Sequence, residues 1–183
     1  MRKRFTSKGG NMKKISVTLI FAAVVLIGFL PMITEAGAET MNFKLVSMIE
    51  KREMVKVTQT EGVFIGVLDR KGLSIFENGE IATTSCRGTF DTKKGFQGYT
   101  SMIFEDGSSL VLSWKGPTSQ SRPAGGKFWE YTIAVEYAEG TGRFKGIKGK
   151  GTYTGKEPQW DDDYKAKGFA YYQFAGTYTL PSK

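Results

Sequence analysis

From residue 127 to 137 apolar and polar positions alternate strictly. Trp129, Tyr131, Ile133, Val135 and Tyr137 fall on one face, and Glu130, Thr132 and Glu136 on the other. A period of two is that of a half-buried β-strand, whereas helical spacing would scatter the same residues around an axis. Gly140, Gly142, Gly146, Gly149 and Gly151 follow, interleaved with Arg143, Phe144 and Lys145. The pattern predicts a strand, a tight turn that tucks Phe144 back, and a second strand through Tyr153.

Short alternating runs of the same kind recur along the chain, separated by turn signals. Strands are predicted at 42–51, 54–60, 63–69, 73–76, 81–90, 96–104, 109–114 and 166–180. Arg70-Lys71-Gly72 reads as a turn between two of them. Asn78-Gly79 and Asp106-Gly107 read as hairpin turns. Residues 115–127, with Gly116-Pro117 and Arg122-Pro123, read as a loop, and residues 157–163 as a polar loop. With short loops and no crossover helix, the expectation is an all-β, antiparallel protein. Long strands at both ends would leave exposed edges, and closure into a β-barrel of about eight strands removes them most simply.

The first 38 residues have a different character. A basic segment ending in Lys13-Lys14 precedes an apolar run over 15–30, Pro31 breaks it, and Ala36-Gly37-Ala38 supplies small residues. This is the pattern of a cleavable signal peptide over 1–38, cut after Ala38, with Met12 a possible start. The expectation is a periplasmic or secreted protein with no stable membrane anchor after cleavage. Residues 39–183 would form a single β-barrel domain.

That boundary changes the meaning of the charge. The chain of 183 residues carries 26 Lys and Arg against 18 Asp and Glu, a formal +8. Six of those bases, Arg2, Lys3, Arg4, Lys8, Lys13 and Lys14, lie in the leader with a single acid, Glu35. The remainder is close to balanced, so the expectation is no nucleic-acid partner. The sequence has no histidine and one cysteine. It therefore lacks the commonest general base and metal ligand, and no internal disulfide can form.

No catalytic motif is present, and no metal site or cofactor is expected. Glu157 with Asp161, Asp162 and Asp163 lacks the ligand alternation of a calcium loop and reads as a solvated turn. The glycines at 140–151 are not followed by a helix, so they read as turn residues and not as a phosphate cradle. Cys86 lies on the less polar face of its strand with Ala82, Thr84, Gly88 and Phe90. Without a nearby base it reads as a buried structural thiol or a cavity wall. The candidate ligand-binding set is Cys86, Tyr99, Trp114, Trp129, Tyr131, Tyr172 and Phe174, aromatic for the most part and suited to a small hydrophobic ligand inside a barrel.

Three segments carry a resemblance: GYTSMIFEDGSSLVLSWKGP, WEYTIAVEYAEGTGRFKGIKGKGTY and FAYYQFAGTYTL. They resemble the barrel shared by plant allene oxide cyclases and dirigent proteins. A hairpin leads into a strand at 110–117 like that family's "ISVQGP", and 139–149 resembles its "T-G-G-T-G-x-F-x-G-A-x-G" connection. Residues 169–178 resemble its aromatic last strand, and the likeness spans roughly 80–180. The resemblance implies a calycin-like antiparallel barrel with a central cavity, often a homotrimer. Proteins of this family steer the cyclisation or coupling of reactive hydrophobic intermediates, but none of their catalytic acids can be placed on this sequence. Three roles follow: a non-catalytic barrel that binds a small hydrophobic molecule, an isomerase or cyclase, and a trimeric interaction protein with a packed interior.

Overall fold

The structure, a computed structural model, describes residues 37–57, 63–117, 128–158 and 169–182. The apolar segment and break of the expected signal peptide, residues 58–60 of an expected strand, most of the loop 115–127, and Asp161–Asp163 lie outside them. Eight strands are formed: β1 (Glu39–Lys56), β2 (Phe64–Phe76), β3 (Ile81–Asp91), β4 (Gly95–Phe104), β5 (Ser109–Gly116), β6 (Phe128–Gly140), β7 (Lys148–Pro158) and β8 (Phe169–Thr179). Each pairs antiparallel with its sequence neighbours, and β8 pairs back onto β1, closing the barrel. The expected all-β closed barrel is what forms.

One expected turn is strand instead, and so is the start of an expected loop. Arg70-Lys71-Gly72 runs straight through β2, in register with Ile49, Met48 and Ser47 of β1. A charged pair before a glycine resembles a turn locally, but here Arg70 points inward and Gly72 allows close strand approach. A Cβ on Gly72 would lie 2.0 Å from the Val46 carbonyl oxygen. Likewise Glu157, expected in a polar loop, is an inward residue of β7 paired with Trp129. The expected separate strands at 42–51 and 54–60 are one strand, β1, with a register shift between Ile49 and Lys51. The extra residue of such a bulge reverses the inward parity. Met41, Phe43, Leu45 and Ser47 face inward before it, and Arg52 and Met54 line the interior beyond it.

The hairpin turns at Asn78-Gly79 and Asp106-Gly107 form as expected, with positive φ at Gly79 (85°) and Gly107 (78°). At the same end of the barrel, Gly142–Phe144 make a single 3-10 turn that turns Phe144 into the core. Phe43 stacks on Phe174 at 4.7 Å and tilts against Phe76 at 4.9 Å, and Phe104 meets Phe76 at 5.2 Å and Phe144 at 4.9 Å. Leu110, Leu112, Met102 and Val135 fill the spaces between these rings and are essentially buried. Arg143 caps this end, its guanidinium over the rings of Phe104 and Phe144 at 4.7 and 4.8 Å and ion-paired with Glu80 and Asp106.

Candidate functional site

The other half of the barrel is hollow. A cavity of about 460 Å³ extends from the mid-barrel toward the end where β1, β3, β5 and β7 finish. That volume lies within the ordinary range for a small-molecule site. Its wall is mostly apolar and aromatic, including Leu45, Met54, Phe64, Leu68, Phe90, Phe96, Trp114, Trp129, Tyr131, Ile133, Tyr153 and Tyr172.

Glycines on the inner face make room for the largest rings. Gly88, Gly98 and Trp114 stand side by side across β3, β4 and β5. A Cβ on Gly88 would lie 2.3 Å from Trp114 Cη2, so the indole lies flat over bare backbone. Gly155 does the same for its register partner Tyr172, with a would-be Cβ 2.3 Å from Cδ1. The indole N–H then donates to Thr100 Oγ1 at 3.0 Å, and that hydroxyl lies 3.3 Å from the Cys86 sulfur.

The polar core of the cavity is an ion pair. Arg70 of β2 reaches Glu157 of β7, and each residue is only 5% exposed. Tyr172 donates to Glu157 Oε1, and Tyr131 donates to Oε2 at 3.4 Å. A pair this deep survives only if each charge is well partnered, because both have left water. Burial works against the Arg70 cation, and the Glu157 carboxylate together with the Tyr172 hydroxyl more than offsets it, so the guanidinium stays charged. Burial, reinforced by the Glu157 carboxylate, holds the phenols of Tyr131 and Tyr172 well above their ordinary range, so both remain neutral donors. Burial also pushes the Cys86 thiol up, against the pull of Thr100 and Arg70. Kept as a thiol, Cys86 is a poor nucleophile.

Five of the seven residues singled out from the sequence line this cavity: Cys86, Trp114, Trp129, Tyr131 and Tyr172. Phe174 is buried in the packed half, stacked on Phe43. Tyr99 is 58% exposed on the outer face, beside a groove with Arg87, Ser113 and Glu136. It belongs to the odd-numbered, outward set of β4, while Phe96, Gly98 and Thr100 face in. The two charged residues that define the site, Arg70 and Glu157, escaped sequence reasoning because turn-like composition masked them. The usable signal was phase: 64, 66, 68, 70 and 153, 155, 157 continue the inward alternation without a break.

Among the described residues no group of acidic or cysteine side chains is placed to hold a metal ion. The arrangement can therefore enclose an apolar body and offer it a few fixed hydrogen-bonding groups at the inner end.

These features define a closed antiparallel barrel, half filled and half hollow, with a charged pair inside. No protein-family model matches the sequence, and no curated protein matches it. Among solved structures the chain is similar to the pterocarpan synthase dirigent protein GePTS1. The two share 14% sequence identity over 80% of this chain and 88% of that one, with a TM-score of 0.44.

Proposed function

We propose that this protein is an exported, non-catalytic barrel that binds one small, mostly apolar molecule in its hollow half. The observation that carries the reading is the aromatic cavity of about 460 Å³, open at one end of the barrel, around a buried ion pair. Leaving such a volume open forgoes the packing that the other half achieves, and a site for a ligand accounts for that cost. Export rests on the pattern of residues 1–38, with its basic start, apolar run and small residues before Glu39.

A second reading, steering of a reactive intermediate, draws on the same cavity and on the buried carboxylate of Glu157. The geometry weighs against an acid–base role. A general base must reach the proton that it removes, and the Glu157 carboxylate is already engaged by Arg70, Tyr131 and Tyr172. Holding a ligand is the simpler use of such a site.

The test is native mass spectrometry of the protein purified from its own host, followed by titration with the apolar fluorophore N-phenyl-1-naphthylamine. A co-purifying small molecule, or saturable binding at one per chain, is expected. Leu68→Trp, which fills part of the cavity, should abolish that binding while far-UV circular dichroism is unchanged. Absence of both a bound molecule and saturable binding in the natural sequence would end the proposal.

A further inference from the structure

The hydrogen-bonding groups of the cavity are unevenly committed. Its strongest acceptors are taken. Glu157 Oε1 serves Arg70 and Tyr172, Glu157 Oε2 serves Tyr131, and Thr100 Oγ1 serves the Trp114 N–H. Three groups able to donate are not. Arg70 Nη1, Ser47 Oγ and Tyr153 Oη are buried without a hydrogen-bond partner, and all three residues line the cavity; of these Arg70 alone carries a charge. Arg70 is 5% exposed and Ser47 1%, so neither group is served by bulk solvent. A buried donor without an acceptor costs about 1–3 kcal/mol, and more when it is charged. The Ser47 hydroxyl can donate or accept, but the Arg70 N–H can only donate, so an occupant that brings an acceptor oxygen relieves both and one that brings only donors leaves Arg70 unpaired.

The charge of the occupant follows from the pair. Arg70 and Glu157 cancel, so the inner end of the cavity has a strong local field without net charge. An anion placed there would leave water and face the Glu157 carboxylate as well as the Arg70 guanidinium. A neutral acceptor gains the charge-assisted hydrogen bond without that penalty. The other charged groups facing the cavity sit nearer its mouth. Asp91 is held by the N–H groups of Lys93 and Lys94 at 2.7 and 3.1 Å, and the Arg52 guanidinium lies over the Phe90 ring at 5.2 Å.

Building on the reading of the cavity as a binding site, we propose that its occupant is a neutral, mainly apolar carbonyl compound. Its oxygen sits on Arg70 Nη1 and Ser47 Oγ, and its body lies along the aromatic wall toward the mouth. Glu157 acts as a positioning residue. By engaging one side of the guanidinium it turns Nη1 toward the ligand and neutralises the site.

Three probes of nearly equal shape test this: naphthalene, 2-acetonaphthone and 2-naphthoate. They are titrated by calorimetry and by quenching of the tryptophan fluorescence, to which cavity-lining Trp114 and Trp129 contribute, using protein purified from its host. The ketone should bind about tenfold or more tighter than naphthalene, the worth of one hydrogen bond from a charged donor. Naphthoate should bind more weakly than the ketone. Arg70→Met combined with Glu157→Gln should erase the preference for the ketone while naphthalene still binds. Ser47→Ala removes a hydroxyl that has no partner and leaves the fold intact, so it serves even if the double variant is unstable. It should reduce the ketone preference about threefold. Equal binding of naphthalene and ketone would overturn this inference and leave the cavity reading standing. Tightest binding by naphthoate would replace a neutral occupant with an anion. If none of the three binds to protein that does bind N-phenyl-1-naphthylamine, this inference fails and the cavity reading stands.

Discussion

The two halves of the barrel interior use the same inward alternation to opposite ends. In one half Phe43, Phe76, Phe104, Phe144 and Phe174 meet ring to ring, and Arg143 closes the end from outside. In the other, rings of similar size lie back against glycines, and the space in front of them stays open. Ring content is high in both halves, so aromatic composition does not distinguish a core from a site. What distinguishes them is whether the rings meet. In the packed half Phe43, Phe76, Phe104, Phe144 and Phe174 touch across the interior, whereas in the hollow half Trp114 and Tyr172 lie along the wall over Gly88 and Gly155.

The sharpest way to break this comparison is to strand a charge in the hollow half. Arg70→Met leaves Glu157 buried without its cation and should cost about 3–5 kcal/mol of unfolding free energy. Adding Glu157→Gln should restore most of it. Guanidinium-chloride unfolding measures both, and a single variant as stable as the parent would mean that water already reaches the pair.

Truncation then separates the two halves directly. Phe174→Ala removes a fully buried ring from the packed half and should cost about 3–5 kcal/mol. Leu68→Ala, on the wall of an existing cavity, encloses no new void and should cost nearer 1.5 kcal/mol, the transfer contribution alone. Equal costs would show that the cavity collapses in solution.

Gly88→Ala probes the device that holds the wall back. Its Cβ would lie 2.3 Å from Trp114 Cη2 and 2.7 Å from the Gln97 carbonyl oxygen. Displacing the indole should cost about 1–3 kcal/mol. It should also shift the tryptophan emission, because the indole leaves Thr100.

The smallest effect lies at the rim of the packed half. Burial and a 2.6 Å hydrogen bond to Glu39 push the Tyr178 phenol up to about 12, from an ordinary value of 10.0. Its unfolded form therefore releases a proton before its folded form does. The contribution of Tyr178 is fully present below pH 10 and is lost as pH rises through 12. Thermal unfolding at pH 9 and pH 11.5 should show a smaller loss for Tyr178→Phe than for the parent.

Much of the architecture was legible in the residues. The alternation at 129–137, the Asn-Gly and Asp-Gly turns, and the glycine-rich connection that tucks in Phe144 all form where the pattern places them. The errors have one physical origin. Arg70-Lys71-Gly72 and Glu157 look like turn residues because isolated charges belong in water. They are strand because Arg70 and Glu157 each supply the partner that makes the other's burial tolerable, and the two lie far apart in sequence. The candidate site was half legible for a related reason. Parity assigns Cys86, Trp114, Tyr131 and Tyr172 to the inner face, but parity says nothing about depth, so Phe174 reads the same as Tyr172 although one packs a core and the other lines a cavity.

The sequence by itself determined the strands, most of their turns and which side of each strand faces inward, because these depend on neighbours one to four residues away. Only the tertiary structure decided that β8 closes onto β1, that a bulge after Ile49 turns Arg52 and Met54 inward, and that Arg70 meets Glu157. It also decided where the interior is full and where it is open. Those outcomes depend on which residue stands opposite which across eight strands, and register across a closed barrel is a property of the whole sheet.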